Sequence, residues 1–170
     1  MMALQAGLTA ELSDALCRAV WRRGVAASLN ACCQALGLES RVLMPEPPAS
    51  INPEHHGLSL QLVHPHAGEV EVGDPERWLI RRVQWSADPG SGQWLHALPF
   101  GLDAVHETPA SAALKLQAEG LGLNAVDMAA GDRRQAFFLE DGLVLELQWR
   151  ERLTGLTQVS AQRLGSDLLE

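Results

Sequence analysis

The chain has no tyrosine, one lysine among its 13 basic residues, three cysteines, and no apolar run longer than a few residues. Each shortage excludes something. A helix that crosses a bilayer needs roughly 20 consecutive apolar residues, and Arg18, Arg22 and Arg23 interrupt the helical pattern at the N-terminus. No membrane segment is expected. The same stretch, MMALQAGLTAELSDALCRAVWRRG, lacks the order of a secretory signal, because its basic residues follow the apolar part and Glu11 and Asp14 break it. A cytosolic protein is therefore expected. Thirteen basic residues against 21 acidic ones give a net charge of -8, the wrong sign for replacing phosphate counterions, so nucleic acid is excluded as a partner. A basic protein partner fits the charge better. The cysteines are odd in number, and Cys32 and Cys33 are adjacent, so on a helix they diverge by about 100°. They read with Cys17 as small apolar core residues rather than as a disulfide framework.

Catalytic signatures are also missing. There is no nucleophile elbow, no cysteine matched to a histidine, and no zincin helix. The glycines of GLGLN, residues 120–124, follow a helical segment instead of preceding one, so they do not cradle a phosphate. Four histidines, His55, His56, His64 and His66, fall within HHGLSLQLVHPH. With a strand between them, each residue advances about 3.3 Å, which separates His56 from His64 by roughly 26 Å. One metal ion cannot hold both, and no metal or cofactor is expected.

What remains is an ordinary globular composition, 46% hydrophobic and 20% charged, in a length of 170 residues that suits one domain. Residues 1–37 read as a helical pair. Thr9 caps the first, with Leu12, Leu16, Ala19 and Val20 on one face, and the second carries Val25, Leu29, Cys32, Cys33 and Leu36 before Gly37. Residues 38–107, which begin with a short apolar piece and the proline-rich loop PEPPASINP, read as an antiparallel meander of about four strands. These are Leu58 to Val63, an acidic strand around Val70 and Val72, a strand with Leu79, Arg81, Val83 and Trp85 on one face, and Trp94 to Leu98. Residues 108–170 read as a helix from Pro109 to Glu119, with an apolar stripe at Ala110, Ala113 and Leu114, then a hairpin and a last strand from Leu156 to Leu164. Asp141-Gly142 predicts a two-residue hairpin turn. The fold class is α+β: an N-terminal helical pair, an antiparallel β meander, then a helix and a β-hairpin that extend the same sheet or form a second one.

Two groups of residues are candidates for function. The segment GEVEVGDPE supplies Glu69, Glu71, Asp74 and Glu76 as a negative edge, with Trp78 just beyond it. That edge is either a solvated face or the surface of a protein that blocks a basic site. Trp78 and Trp85 are an odd number of residues apart, so on one strand they face opposite sides and one is available to a partner. The second group is His96, Asp103, His106 and Glu107, in and before the connection LPFGLDAVHETPA. His106 beside Glu107 is either an acid and base pair near a helix start or a loop pair in front of the Thr108 cap.

ALPFGLDAVHETPASAALKL, QAFFLEDGLVLELQW and GLTQVSAQRLG, in that order, resemble small bacterial domains in which a helix entered through a Leu-Pro-Phe-Gly-Leu turn precedes an antiparallel sheet. Such domains occur among toxin-immunity proteins and are similar, more distantly, to the helix-plus-sheet fold of outer-membrane assembly lipoproteins and beta-lactamase inhibitor proteins. The chain departs from the latter in placing one helix before the second sheet where the inhibitor fold has two. The resemblance carries no functional residue over. It implies a non-enzymatic protein-binding domain of the immunity type, which occludes a cognate toxin. A small hydrolase or ligand-binding pocket near His96, Asp103, His106 and Glu107 is the alternative, and a homodimer joined through a strand edge is a third reading.

Overall fold

A computed structural model describes residues 7–20, 50–51, 54–63, 79–118, 124–125, 133–139 and 142–163. The elements are α1 (Ala10–Ala19), β1 (Ser50–Ile51), β2 (Glu54–His55), β3 (Leu58–Val63), β4 (Leu79–Ser86), a 3-10 turn at Pro99–Gly101, α2 (Pro109–Ala118), β5 (Asn124–Ala125), β6 (Arg134–Phe138), β7 (Leu143–Trp149) and β8 (Leu156–Arg163). The fold is α+β. The second helical pattern, Val25 to Leu36, and the acidic strand around Val70 lie outside the described residues.

Thr9 starts α1: its backbone is extended and its hydroxyl accepts the Leu12 N–H at 3.3 Å. Ten residues are too few for a helix to persist alone, so α1 depends on burying Leu16, Cys17 and Ala19. Ser13, also fully buried, donates to the Ala97 carbonyl and accepts from the Trp85 indole N–H at 3.3 Å. This network ties α1 to the centre of the sheet.

The strands form one antiparallel sheet in the order β1-β3-β4-β8-β7-β6-β5, with β2 also on β3. β8 is the joint. It pairs with β4 on one side (Trp85 opposite Val159) and with β7 on the other (Leu147 opposite Val159). A cross-strand row of Leu60, Val83, Ala161, Leu145 and Phe137 is therefore buried on one face. Trp85, Val159 and Leu147 form the next row, and each such large side chain contributes about 1.5–3 kcal/mol on burial. The opposite face carries the matching row Ser59, Gln84, Ser160 and Glu146, all polar, ending at Ala136.

Four expectations need correction. Leu79, Arg81, Val83 and Trp85 do not share a face: the register steps from Gln61↔Arg82 to Leu62↔Ile80, so Arg81 is the extra residue of a β-bulge. The bulge buries both Ile80 and Val83 while Arg81 stays exposed. Trp94 to Leu98 is not a strand. It is held by the N-terminal segment, where the Ala97 N–H donates to the Leu8 carbonyl at 3.0 Å. The hairpin between β6 and β7 has three residues in its loop, because Phe138 pairs with Val144 and the Leu139 N–H donates to the Leu143 carbonyl; Gly142 takes the left-handed position at φ 77°. Finally, α2 buries Ala112 and Leu116, whereas Ala110 and Leu114 are exposed. The reason for that last phase lies in the connection before the helix.

Candidate functional site

The connection begins with an unusual backbone. Phe100 sits at φ 60°, ψ 27°, a left-handed conformation that a bulky side chain rarely adopts, and Gly101 follows at φ 71°. Two residues of α1 hold it: Asp14 Oδ1 accepts the Phe100 N–H at 2.6 Å, and the Arg18 guanidinium stands 5.2 Å from the ring centroid.

Next comes a compact turn built on Asp103 and Glu107. The Asp103 carboxylate accepts the Val105 and His106 N–H groups at 2.9 and 3.1 Å, and its other oxygen lies 3.3 Å from His106 Nδ1. The two backbone donors, Val105 first, hold the Asp103 pKa below the usual carboxylate range, and the His106 ring adds to the effect. Glu107 lies inside the turn rather than on it. Its carboxylate is fully buried and takes three donors: the Asp103 N–H at 2.6 Å, the Lys115 ammonium at 2.7 Å and the Ser111 hydroxyl. A buried charge persists only when paired and hydrogen-bonded, and all three partners come from one stretch of 13 residues, Asp103 to Lys115.

This carboxylate sets the rotation of α2. Ser111 and Lys115 are four apart and so share a face; with both turned to Glu107, the adjoining Ala112 and Leu116 go inward and Ala110, Leu114 and Gln117 outward. Thr108 completes the start: its hydroxyl accepts the Ser111 N–H at 3.2 Å while the Ser111 hydroxyl accepts the Thr108 N–H at 3.0 Å. The pair is a reciprocal cap with serine where glutamate is usual.

The turn is clamped to the end of the sheet. The Gly155 N–H donates to the Glu107 carbonyl and the Leu156 N–H to the Ala104 carbonyl, both at 2.7 Å. Gly155 is at φ 84°, and a Cβ there would lie 2.7 Å from the Val105 carbonyl oxygen, so only glycine fits. Outside this contact, Arg150, Glu151, Arg152 and Thr154 line an open depression of about 400 Å³.

Of the second candidate group, the structure brings Asp103, His106 and Glu107 into one turn. His96 belongs elsewhere: it is buried, and its Nδ1 accepts the Leu8 N–H at 3.0 Å. The hydroxyls in the turn, on Thr108 and Ser111, are engaged with each other and with Glu107. Glu69, Glu71, Asp74, Glu76 and Trp78 lie outside the described residues, in the connection whose flanking residues Val63 and Leu79 pair. Sequence reasoning missed Ser111, Lys115 and Gly155. The spacing of Glu107, Ser111 and Lys115 at four-residue steps was the signal available for the first two. Among the described residues no cluster of three metal-ligating side chains occurs, and no helix is long and apolar enough to cross a membrane.

Comparison of the chain with known protein families, characterised proteins and solved structures finds no match. Charge is divided unevenly along the chain. The described residues include nine basic and eight acidic groups, and the others four and 13. The acidity of the protein is thus carried largely outside the described body.

Proposed function

We propose that this chain is a cytoplasmic, non-enzymatic protein-binding domain that occludes a basic partner, as an immunity protein neutralises a toxin. The observation that carries the reading is the engagement of Glu107. A general acid or base needs an oxygen that a substrate can reach, and this carboxylate is buried and already accepts three hydrogen bonds from its own chain. The group that sequence places best for chemistry is spent on holding a turn. What that turn and the adjoining corner present outward is an open surface of Val105, His106, Arg150 and Arg152.

In this reading the acids Glu69, Glu71, Asp74 and Glu76 attract the partner at long range, Trp78 supplies an aromatic contact, and the mechanism is steric and electrostatic with no bond broken. No cofactor enters it. The test is co-expression with the product of the adjacent reading frame. A stable complex that is lost when Glu69, Glu71, Asp74 and Glu76 become lysine supports the reading, and an intact complex in that folded variant removes the acidic edge from it.

One observation favours the alternative, a hydrolase or ligand-binding site. His106 Nδ1 lies 3.3 Å from Asp103 Oδ2, a carboxylate placed to orient an imidazole. That reading requires His106→Ala to abolish turnover or ligand binding while leaving stability unchanged.

A further inference from the structure

The corner where Arg150–Gly155 meets the Asp103–Glu107 turn holds side chains that the fold does not use. Arg150 and Arg152 are exposed, and among the described residues neither forms an ion pair. Their backbone is nevertheless fixed. The Arg150 N–H donates to the Gly155 carbonyl at 3.0 Å, the Leu153 N–H to the Arg150 carbonyl at 2.9 Å, and Gly155 is bonded across to Glu107. The stem of Arg150 lies against Gly155, its Cδ 3.3 Å from where a Cβ would stand. Val105, whose carbonyl abuts the same glycine, leaves half of its own surface in water at 51% exposure. Glu151 is the one acid among the residues that line the depression.

Two guanidinium forks and an exposed aliphatic side chain on a locked backbone are suited to carboxylates carried on a partly apolar chain. Guanidinium groups bind carboxylates bidentately, and arginine is enriched in protein interfaces. The depression is too open to enclose a small ligand, which normally buries most of its surface. We infer that this corner docks an acidic extended segment of the protein partner, with carboxylates on Arg150 and Arg152 and an aliphatic side chain on Val105. The inference rests on the protein-binding reading and adds to it the contact that fixes register. A basic partner is compatible with it, because a chain of positive net charge still carries short acidic segments, and within a Debye length of about 8–10 Å the individual ion pair outweighs the screened charges farther away.

The test uses the full chain and a synthetic peptide of five glutamates followed by a leucine, titrated at about 0.15 M salt, where a Debye length of about 8 Å screens the net charge of the chain, and followed by NMR of the arginine side-chain N–H groups. The expected result is saturable shifts at Arg150 and Arg152, with apparent affinity at least about tenfold weaker in R150E/R152E and about threefold weaker in Val105→Ser. R150K/R152K, which keeps charge but loses the fork, is expected to fall between. Equal shifts at all exposed arginines, equal shifts of Arg150 and Arg152 with a polylysine control, or equal occupancy of the two by inorganic phosphate at the same concentration each overturn the inference. Failure of the adjacent-frame complex with peptide binding intact would instead count against the immunity reading, so the two can fail separately.

Discussion

Replacing Glu107 by glutamine keeps the shape of the side chain and removes its charge. The wild-type carboxylate accepts from the Asp103 N–H, the Ser111 hydroxyl and the Lys115 ammonium. The glutamine amide turns one acceptor into a donor, so either the Ser111 hydroxyl must turn its proton to the Thr108 carbonyl at 3.1 Å or the part-buried Asp103 N–H faces an N–H group. A hydrogen bond to a charged group contributes about 1.5–3 kcal/mol, and leaving a buried donor unpaired costs about as much. Lys115 is 38% exposed and can turn to water, so its share is discounted to about 1 kcal/mol or less. The expected loss for Glu107→Gln is about 2–4 kcal/mol, and for Glu107→Ala about 3–5 kcal/mol. Urea denaturation reads this as a fall in midpoint of about 1–2 M with the slope unchanged. Because Ser111 and Lys115 also set the phase of α2, Ala112 and Leu116 should become more accessible in the same variants. A Glu107→Gln chain within about 0.5 kcal/mol of wild type would refute the reasoning.

Gly155→Ala should cost at least about 2 kcal/mol, since it adds left-handed strain to a 2.7 Å approach on the Val105 carbonyl, and thermal unfolding will show it. At Phe100 two effects oppose each other. Glycine relieves about 1–2 kcal/mol of left-handed strain, but loss of a ring that is 2% exposed costs about 3–5 kcal/mol, so Phe100→Gly should destabilise in urea by a net 2 kcal/mol or so. Asp103 and Asp88 both have pKa values below the usual 3.8, the latter chiefly through the Ser91 hydroxyl. Their contribution is therefore present in full above the unfolded value and is lost as pH falls through the lower folded values. Stability measured between about pH 5 and 2 should fall less steeply in Asp103→Asn than in wild type.

The start of each described helix was legible because capping chemistry is local: Thr9, and Thr108 followed by Pro109, need only their next few residues to act. The hairpin around Gly142 was legible for the same reason, although its loop has three residues rather than two. What the sequence hid depends on partners far along the chain. Arg81 reads as an inward position by counting, and only the demand that both Ile80 and Val83 be buried forces the bulge. Trp94 to Leu98 has the look of a strand, yet its backbone partner is Leu8. The apolar stripe of α2 was placed in part only, with Ala113 against the core but Ala110 and Leu114 exposed, because Glu107, Ser111 and Lys115, polar residues that pattern reasoning assigns to solvent, are what orient that helix. Within the candidate site, Asp103, His106 and Glu107 could be grouped from the connection they share, while the Asp103–His106 contact went unread and the role of Glu107 depended on burial, which spacing does not reveal.

The corner has an interior, built on Glu107, that serves the fold, and an exposed exterior to which the proposal assigns recognition. The most direct measurement compares Glu107→Gln with R150E/R152E, each scored for urea stability and for binding of the glutamate-rich peptide under conditions where both remain folded. Glu107→Gln should lose about 2–4 kcal/mol and keep its affinity, while R150E/R152E should stay within about 0.5 kcal/mol of wild type and lose at least about tenfold in affinity. The opposite pattern, with the peptide released by Glu107→Gln at unchanged stability, would contradict the account.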